Sequence, residues 1–114
     1  MADIKTIKID DKEYVLRSDV ETLVRKERKG AWMVGEKYLI RTVTMMDVGI
    51  LLYVDDHELV LADASWIADS GRFNEFLSTG KPNECEPFPG EAIIGRGAIV
   101  DSCIWTHALP RSVK

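Results

Sequence analysis

Apolar and polar residues alternate in short runs over much of the chain, a pattern typical of half-buried β-strands. The segment KTIKIDDKEYVLR at 5–17 alternates on both sides of Asp10 and Asp11, which predicts a short hairpin or an extended arm. Further along, the runs YLIRTVTM, VGILLYV and ELVLADA follow one another closely, and the residues DDH at 55–57 form the turn between the last two. Consecutive strands with short connections predict an antiparallel meander.

A first helix is predicted between Ser18 and Lys29. Ser18 followed by Glu21 forms a capping box, which satisfies two free N–H groups at a helix start, and Gly30 ends the segment. The apolar stripe of this helix is narrow, so the helix needs the core or another chain to be stable. We therefore expect 1–30 to form an N-terminal arm and helix that mediates oligomerisation.

A second helix is predicted after the meander, where apolar residues recur at helical spacing and Gly80 ends the pattern. These apolar residues are Phe73, Phe76 and Leu77. The next segment, KPNECEPFPG, contains three prolines and predicts a surface loop. Two later runs, EAII and GAIVDSCIW, predict strands, and the tail THALPRSVK is expected to be extended.

The order of these elements predicts an α+β fold: a strongly bent, mostly antiparallel sheet with one packed helix and an N-terminal helical arm. The α+β core domain is expected at 31–114. A chain of 114 residues fits one modest core, and small domains often gain stability by oligomerising, so we expect a homo-oligomer. The residues predicted to be largely buried are Leu39, Val43, Ile50, Leu52, Leu59, Leu61, Phe73, Phe76, Leu77, Ile93 and Val100.

The charge balance narrows the possible partners. A net charge of -4 and a pI of about 5.1 disfavour a general electrostatic grip on long nucleic acid or anionic membrane, which needs a basic surface. No apolar run approaches the roughly 18 residues of a membrane span, and the N-terminus is charged from its third residue, so we expect a cytoplasmic protein. Cys85 and Cys103 are expected to be free thiols in that compartment, with a disulfide between them as the alternative.

The sequence gives little support for catalysis. No Walker, GxSxG, HExxH or paired CxxC motif occurs. His57 lies in a predicted turn and His107 in the tail, and nothing in their spacing from either cysteine requires a nucleophilic pair. Three carboxylates are candidates for converging on a metal ion, although solvated turn residues are the favoured interpretation: Asp63, Asp69 and Asp101. We expect no enzyme activity, no metal and no cofactor.

Three arginines are candidates for an anion site, because the guanidinium presents a fixed fork of donors suited to phosphate. Arg41 and Arg96 lie in or beside apolar strand runs, and the glycines that flank Arg96 let the backbone approach a ligand closely. Arg72 falls at the start of the second helix, where free N–H groups favour an anion. The alternative for each is a solvent-exposed side chain, with Asp69 or Ser70 merely capping the helix.

Trp66 and Trp105 are candidates for stacking on a flat ligand. Trp66 follows a predicted strand and is expected to be half-buried, which an indole tolerates when its N–H has a hydrogen-bond partner. Trp105 stands near the C-terminus, where docking of the tail on a neighbouring subunit and stacking on a ligand both stay open. A structural role is the favoured interpretation for these two and for Trp32.

The segment KYLIRTVTMMDVGILLYVDDHELVLADASWI resembles a family of small phage and prophage proteins. In that family an IRT strand precedes a Gly-led strand, a strand ending in Ala, an aromatic segment, a helix, a Pro-containing loop and a strand like GAIVD. The resemblance covers most of the chain, and the family includes the Thoeris anti-defence sponges. Such sponges are oligomers with pockets at subunit interfaces, and they bind a cyclic ADP-ribose-type signal of bacterial TIR immunity without cleaving it.

Residue by residue, the chain matches the family at four positions of the meander and departs from the family pattern after Ala64. The matching residues are Arg41 and Thr42 of IRT, Gly49, and Ala64 after ELVLAD. Where the family has two consecutive arginines, this chain has Ser65 and Trp66. It is similar there to a subgroup with DAAWIADTGRF, a late Trp and LPR, which it matches at Trp66, Asp69, Gly71, Arg72, Phe73, Trp105 and Pro110.

The resemblance implies a phage-encoded anti-defence protein of the host-cell cytoplasm. It would bind and sequester an anionic cyclic nucleotide or ADP-ribose-type signal as a homo-oligomer. The candidate ligand-binding residues are Arg72, Arg41, Arg96, Thr42, Trp66 and Trp105. The alternative is a virion or assembly component that uses the N-terminal arm and the C-terminal WTHALPR as interaction handles, and a small hydrolase is the third hypothesis.

Overall fold

The computed structural model describes residues 6–9, 12–15 and 28–114. Two short antiparallel pairs precede the main sheet: β1 (Thr6–Ile9) with β2 (Lys12–Val15), and β3 (Arg28–Lys29) with β4 (Trp32–Met33). The remaining elements are β5 (Lys37–Thr42), β6 (Met46–Val54), β7 (Glu58–Asp69), α1 (Phe73–Thr79), β8 (Glu84–Pro87), β9 (Ala92–Gly95), a 3-10 turn (Arg96–Ala98) and β10 (Ile99–Ile104).

The main sheet contains β10, β5, β6, β7 and β8 in that order, and β9 also pairs with β7. Every pairing is antiparallel. Strands β9 and β10 lie on opposite sides of the β5–β6–β7 meander, yet only the 3-10 turn separates them in sequence. The chain from Gly95, the last residue of β9, to Ile99, the first residue of β10, can span at most about 14 Å. In a flat sheet, four strand spacings would separate β9 from β10 by about 19 Å. The sheet therefore curls until these two strands approach.

Strand β7 bends in its middle, where its pairing partner changes. Its first part, 58–61, pairs with β9, and its last part, 65–69, pairs with β8. Between them Asp63 has a φ of 48°, which side-chain-bearing residues seldom adopt. Beside this bend β6 and β7 approach so closely that a Cβ on Gly49 would lie 2.9 Å from the carbonyl oxygen of Ala62. A glycine is needed there for the close approach, not for its backbone angles.

Alternation along the strands gives the sheet one apolar cluster on each face. The cluster inside the curl is formed by Trp32, Val34, Tyr38, Ile40, Leu51, Val54, Leu59, Leu61, Ala64, Ala92 and Ile94. The cluster on the other face, beneath α1, is formed by Leu39, Val48, Ile67, Phe76, Cys85 and Trp105. Tyr38, Leu39 and Ile40 are consecutive and buried, so β5 has apolar contacts on both faces.

Helix α1 is short and is held mainly by one residue. Phe76 is fully buried and packs 4.9 Å from the Trp105 ring, centroid to centroid. The helix begins after Arg72, which has no side-chain cap, and ends at Gly80 with a φ of 73°. The N–H of Gly80 donates to the carbonyl of Phe76 at 2.8 Å, as is common for a glycine after a helix.

The chain after β10 lies back on its own core. The Trp105 side chain is 2% exposed, and its backbone N–H donates to Lys37 O at 2.8 Å. At the end of the chain, Lys114 and Cys85 exchange two backbone hydrogen bonds of 3.0 and 3.1 Å. The tail therefore covers the open side of β8.

The predicted α+β class is confirmed, as are the meander, its 55–57 turn and the two late strands. In the segment 5–17, predicted as a hairpin or an extended arm, 6–9 pairs with 12–15, and the other residues lie outside the described residues. The Pro-rich segment was predicted to be a loop, but four of its residues form β8. The first predicted helix is wrong at its end, because Arg28 and Lys29 form strand β3, which pairs with β4. The rest of that predicted helix, 18–27, lies outside the described residues. Both cysteines are free thiols.

The predicted core is confirmed for Leu39, Leu59, Leu61 and Phe76, and it is partly correct for three half-buried residues: Ile50, Phe73 and Leu77. It is wrong for four exposed residues: Val43, Leu52, Ile93 and Val100. Val43 lies just past the end of β5, and Leu52 lies at a bulge where Leu51 and Tyr53 oppose consecutive residues of β7. Ile93 lies between two buried residues of β9 and so faces outward, and Val100 lies on an exposed strand.

Candidate functional site

The candidate site is a groove between the β5–β6 turn and the end of β7, with a volume of about 380 Å³. Arg41 lies opposite Met46 on β6, and the next residue, Asp47, lies opposite Trp66 on β7. Arg41 and Trp66 therefore lie near the same end of the strands, and their side chains leave opposite faces of the sheet. The described residues that line it are Arg41, Thr42, Thr44, Met45, Met46, Trp66, Ile67, Ala68, Asp69 and Ser70.

The turn that forms one wall is held by Thr42. Its backbone N–H donates to Met45 O at 2.7 Å, and its hydroxyl accepts from Met45 N–H at 2.9 Å. Because these bonds close the turn locally, the Thr42 side chain is committed to the turn. We conclude that it shapes the groove.

Arg41 is oriented by two neighbours. Its Nε donates to Asp101 Oδ1 at 2.7 Å and its Nη2 donates to Asp101 Oδ2, and its guanidinium carbon lies 4.6 Å from the centre of the Phe73 ring. The hydrogen bonds with Asp101 raise the pKa of Arg41 and lower the pKa of Asp101. Both side chains are partly exposed, so the pair fixes geometry more than it adds stability.

The opposite wall is the last part of β7. Trp66 is half-buried there, as predicted, although it lies within the strand and does not follow it. Asp69 accepts a hydrogen bond from Gly71 N–H at 2.8 Å, and the Ser70 hydroxyl donates to Gly71 O at 2.9 Å. The wall thus combines one aromatic ring with a small polar turn.

A second, smaller cleft of about 220 Å³ lies on the helix side of Arg41. Its described lining residues are Leu39, Arg41, Phe73, Leu77, Asp101, Ser102 and Cys103. Burial raises the pKa of the Cys103 thiol, and Asp101 adds to that effect. Arg41 therefore borders both cavities, and its pairing with Asp101 lies in the wall of the smaller one.

Of the six predicted ligand-binding residues, Arg41, Thr42 and Trp66 share the groove, and the other three lie elsewhere. Trp105 is buried under α1, and its indole N–H donates to Ala108 O at 3.3 Å, so it offers no ring face to a ligand. Arg72 is an exposed N-cap residue of a seven-residue helix.

Arg96 lies at the opposite end of the meander, near the β6–β7 turn. Its Nη1 donates to Asp55 O at 2.6 Å, and it borders an open cavity of about 470 Å³ with Asp55 and Asp56. Hydrogen bonds from the Tyr53 hydroxyl and from the N–H groups of His57 and Glu58 lower the pKa of Asp55 to about 2. The two acidic residues and the internal bond of Arg96 make this cavity a poor match for an anion.

Asp47 was missed by the sequence reasoning. It is 4% exposed, and its Oδ1 has no hydrogen-bond partner among the described residues. Its cross-strand neighbours are Ile40 and Trp66, and burial raises its pKa to about 6. A charged residue in the apolar stretch MMDVGILL is the sequence signal that could have drawn attention to it.

The carboxylates considered for metal binding do not converge. Asp101 pairs with Arg41, Asp63 pairs with Arg111 at 3.2 Å, and Asp69 accepts from a backbone N–H. Within residues 28–114 no group of three or more His, Cys, Asp or Glu side chains is arranged to hold a metal ion.

Fold and groove together define a small α+β domain with a groove that is lined by an oriented arginine and a half-buried tryptophan. Comparison with protein-family models, with curated proteins and with solved structures finds no match to this chain. The resemblance to the phage family therefore rests on the sequence motifs alone. In the part of the chain that the structure describes, no helix is both long enough and apolar enough to cross a membrane.

Proposed function

We propose that the groove binds an anionic nucleotide-type ligand and that the protein acts by holding this ligand without converting it. The observation that carries the proposal is that Arg41 and Trp66 both line one groove of about 380 Å³. Pockets for small ligands commonly measure about 300–1,000 Å³, so the groove is large enough for part or all of a nucleotide.

Arg41 supplies the anion-binding group in this proposal. A guanidinium has five N–H donors, and Asp101 engages one on Nε and one on Nη2. The remaining donors are available to a phosphate oxygen. Because Asp101 and Phe73 already orient the side chain, little conformational freedom is lost when a ligand binds.

Trp66 supplies the aromatic surface. Base–aromatic stacking contributes about 1–3 kcal/mol per base in alanine scans. Strand register places Trp66 and Arg41 on opposite faces of the sheet, so a ligand that contacts both must cross the end of the sheet at the β5–β6 turn. An aromatic residue and a guanidinium in one groove favour a nucleotide over a simple anion.

The biological part of the proposal comes from the sequence resemblance. The IRT strand contributes Arg41 and Thr42 to the groove, and the resembling family includes sponges for ADP-ribose-type signals. On that ground we propose a phage-encoded anti-defence protein that works as a homo-oligomer in the host cytoplasm.

Calorimetry tests the binding site directly. The wild type is titrated with ADP-ribose, cyclic ADP-ribose and a set of cyclic mono- and dinucleotides, and Arg41→Met is titrated with any ligand found. We expect the variant to bind at least about tenfold more weakly, which corresponds to about 1.4 kcal/mol. The matched control is Arg111→Met, which removes a guanidinium paired with Asp63 outside the groove.

The possible results separate the hypotheses. No binding by the wild type to any ligand in the set would refute the nucleotide proposal, and equal binding by Arg41→Met would move the site elsewhere. Ligand recovered intact after incubation supports sequestration, whereas a converted ligand would make the protein an enzyme.

The alternative function, a virion or assembly component, is favoured by one observation. Strands β1 and β2 pair only with each other among the described strands, and an isolated two-stranded hairpin is marginal in water. The C-terminal WTHALPR gives this alternative less support, because Trp105 and the end of the tail are docked on their own chain. A nucleotide that copurifies with the protein would favour the binding function.

A further inference from the structure

Among the described residues, strand β10 is an open edge of the main sheet. It pairs with β5 on one side, and five of its six residues are exposed. Val100 is 64% exposed and Ile104 is 55% exposed, and the strand has no proline and no lysine to discourage pairing. Its single charge, Asp101, is already engaged by Arg41 of the same chain.

The opposite edge of the sheet, strand β8, has hydrogen-bond partners on both sides. Strand β8 pairs with β7 on one side, and on its other side Cys85 exchanges two backbone hydrogen bonds with Lys114. Strand β8 also carries Glu84, Glu86 and Pro87, residue types that protect sheet edges. The contrast singles out β10 as the edge at which a further strand can add.

The hydrogen bonds between β10 and β5 determine which backbone groups of β10 point away from the sheet. Trp105 N–H donates to Lys37 O at 2.8 Å. Hydrogen-bonded pairs alternate along an antiparallel ladder, so Cys103 and Asp101 also bond toward β5. The N–H and C=O groups of Ser102 and Ile104 therefore point away from the sheet.

We propose that a second copy of this chain adds its own β10 to this edge, antiparallel and about a twofold axis at Ser102. A twofold axis that relates two antiparallel strands of one sheet is perpendicular to the sheet and passes between a residue and its own equivalent. Residues that oppose each other across this axis are therefore an even number of positions apart in the sequence. With the axis at Ser102, Val100 opposes Ile104 of the other copy twice, which covers both exposed apolar residues. Each Ser102 exchanges two backbone hydrogen bonds with its equivalent.

Charge selects this register over its neighbour. With the axis at Ser102, each Asp101 opposes Cys103 of the other copy. With the axis one residue earlier, the two Asp101 carboxylates would oppose each other, and like charges directly opposite are destabilising. The strand is thus complementary to itself with the axis at Ser102, which is why we assign a second copy as the occupant.

A proline at Ser102 tests the edge. Ser102→Pro removes an outward N–H and leaves the bonds to β5 intact, whereas the control Ser102→Ala keeps that N–H. By sedimentation at tens of micromolar we expect dimers for the wild type and for Ser102→Ala, and a dissociation constant at least about tenfold higher for Ser102→Pro. Unchanged near-UV circular dichroism of Ser102→Pro confirms that its fold is intact.

Crosslinking identifies the occupant. In the paired register the two Ser102 Cα atoms are about 5.5 Å apart, within the range of about 4.4–6.8 Å for disulfides. We expect mild oxidation to give a disulfide-linked dimer of the double variant S102C/C103S and no such dimer of the control C103S. A monomeric wild type, a dimer that Ser102→Pro leaves unchanged, or a dimer without this crosslink would each overturn the proposal.

Discussion

Replacing Asp47 by Asn should stabilise the protein at neutral pH. The Asp47 side chain is 4% exposed, and its Oδ1 lacks a hydrogen-bond partner among the described residues. Burial penalises the ionised carboxylate and raises its pKa from 3.8 to about 6. Since one pKa unit corresponds to about 1.4 kcal/mol, the ionised group costs about 3 kcal/mol of folding free energy above pH 6.

The sign of the pH dependence follows from the raised pKa. Between pH 3.8 and about 6 the folded protein binds more protons at Asp47 than the unfolded chain does. The contribution of Asp47 to stability is therefore fully present below pH 3.8 and is lost as the pH rises through 6. The Asn side chain does not ionise, so Asp47→Asn should be more stable than the wild type by about 1–3 kcal/mol at pH 7.5, with a smaller difference at pH 4.5.

Urea unfolding followed by tryptophan fluorescence measures this difference at pH 4.5, 6 and 7.5. Asp55 has the opposite effect on stability, because its pKa is lowered from 3.8 to about 2. Its effect changes mainly below pH 3.8, outside the measured range. The control Asp56→Asn removes an exposed carboxylate and should show no comparable gain. A stability difference for Asp47→Asn that is the same at all three pH values, or a less stable variant at pH 7.5, would refute the reasoning.

Three further predictions concern packing and thiol access. Phe76→Ala should lower the free energy of unfolding by about 3–5 kcal/mol, because Phe76 is fully buried beneath α1, and a loss under 1 kcal/mol in urea unfolding would contradict the packing. Gly49→Ala should cost about 1–3 kcal/mol by the same assay, since its Cβ would lie 2.9 Å from a backbone oxygen. A thiol reagent should label Cys103 and spare the buried Cys85 in the folded protein, and mass spectrometry that finds both labelled at equal rates would contradict this.

The sequence predicted the strands well where alternation is regular and poorly where it is interrupted. The runs that became β5, β6 and β7 have short connections and strong apolar periodicity, so local pattern was sufficient. Leu52 lies at a bulge, and a bulge shifts the period without any residue-type signal. The pairing of β8 with β7 is a long-range contact, and a segment rich in proline gives no local indication of it.

The candidate site was predictable in part for the same reason. Arg41 and Thr42 end one strand of the meander, and Trp66 lies two strands away, so a correct meander brings them near the same end of the strands. The pairing of Arg41 with Asp101 depends on β10 crossing to the far side of β5, and the run GAIVDSCIW contains no signal for that crossing. The burial of Trp105 likewise depends on where the tail docks.

Strand β10 links the two proposals. Asp101 bonds inward to β5 and orients Arg41 at the groove, while the adjacent Ser102 directs its backbone groups outward at the open edge. Pairing of a second copy at Ser102 would therefore restrain the strand that holds Asp101, and with it the geometry of Arg41. Linkage is reciprocal: a ligand that binds better to the restrained arginine must favour the dimer by the same free energy. If both proposals hold, ligand binding and assembly would be coupled through strand β10.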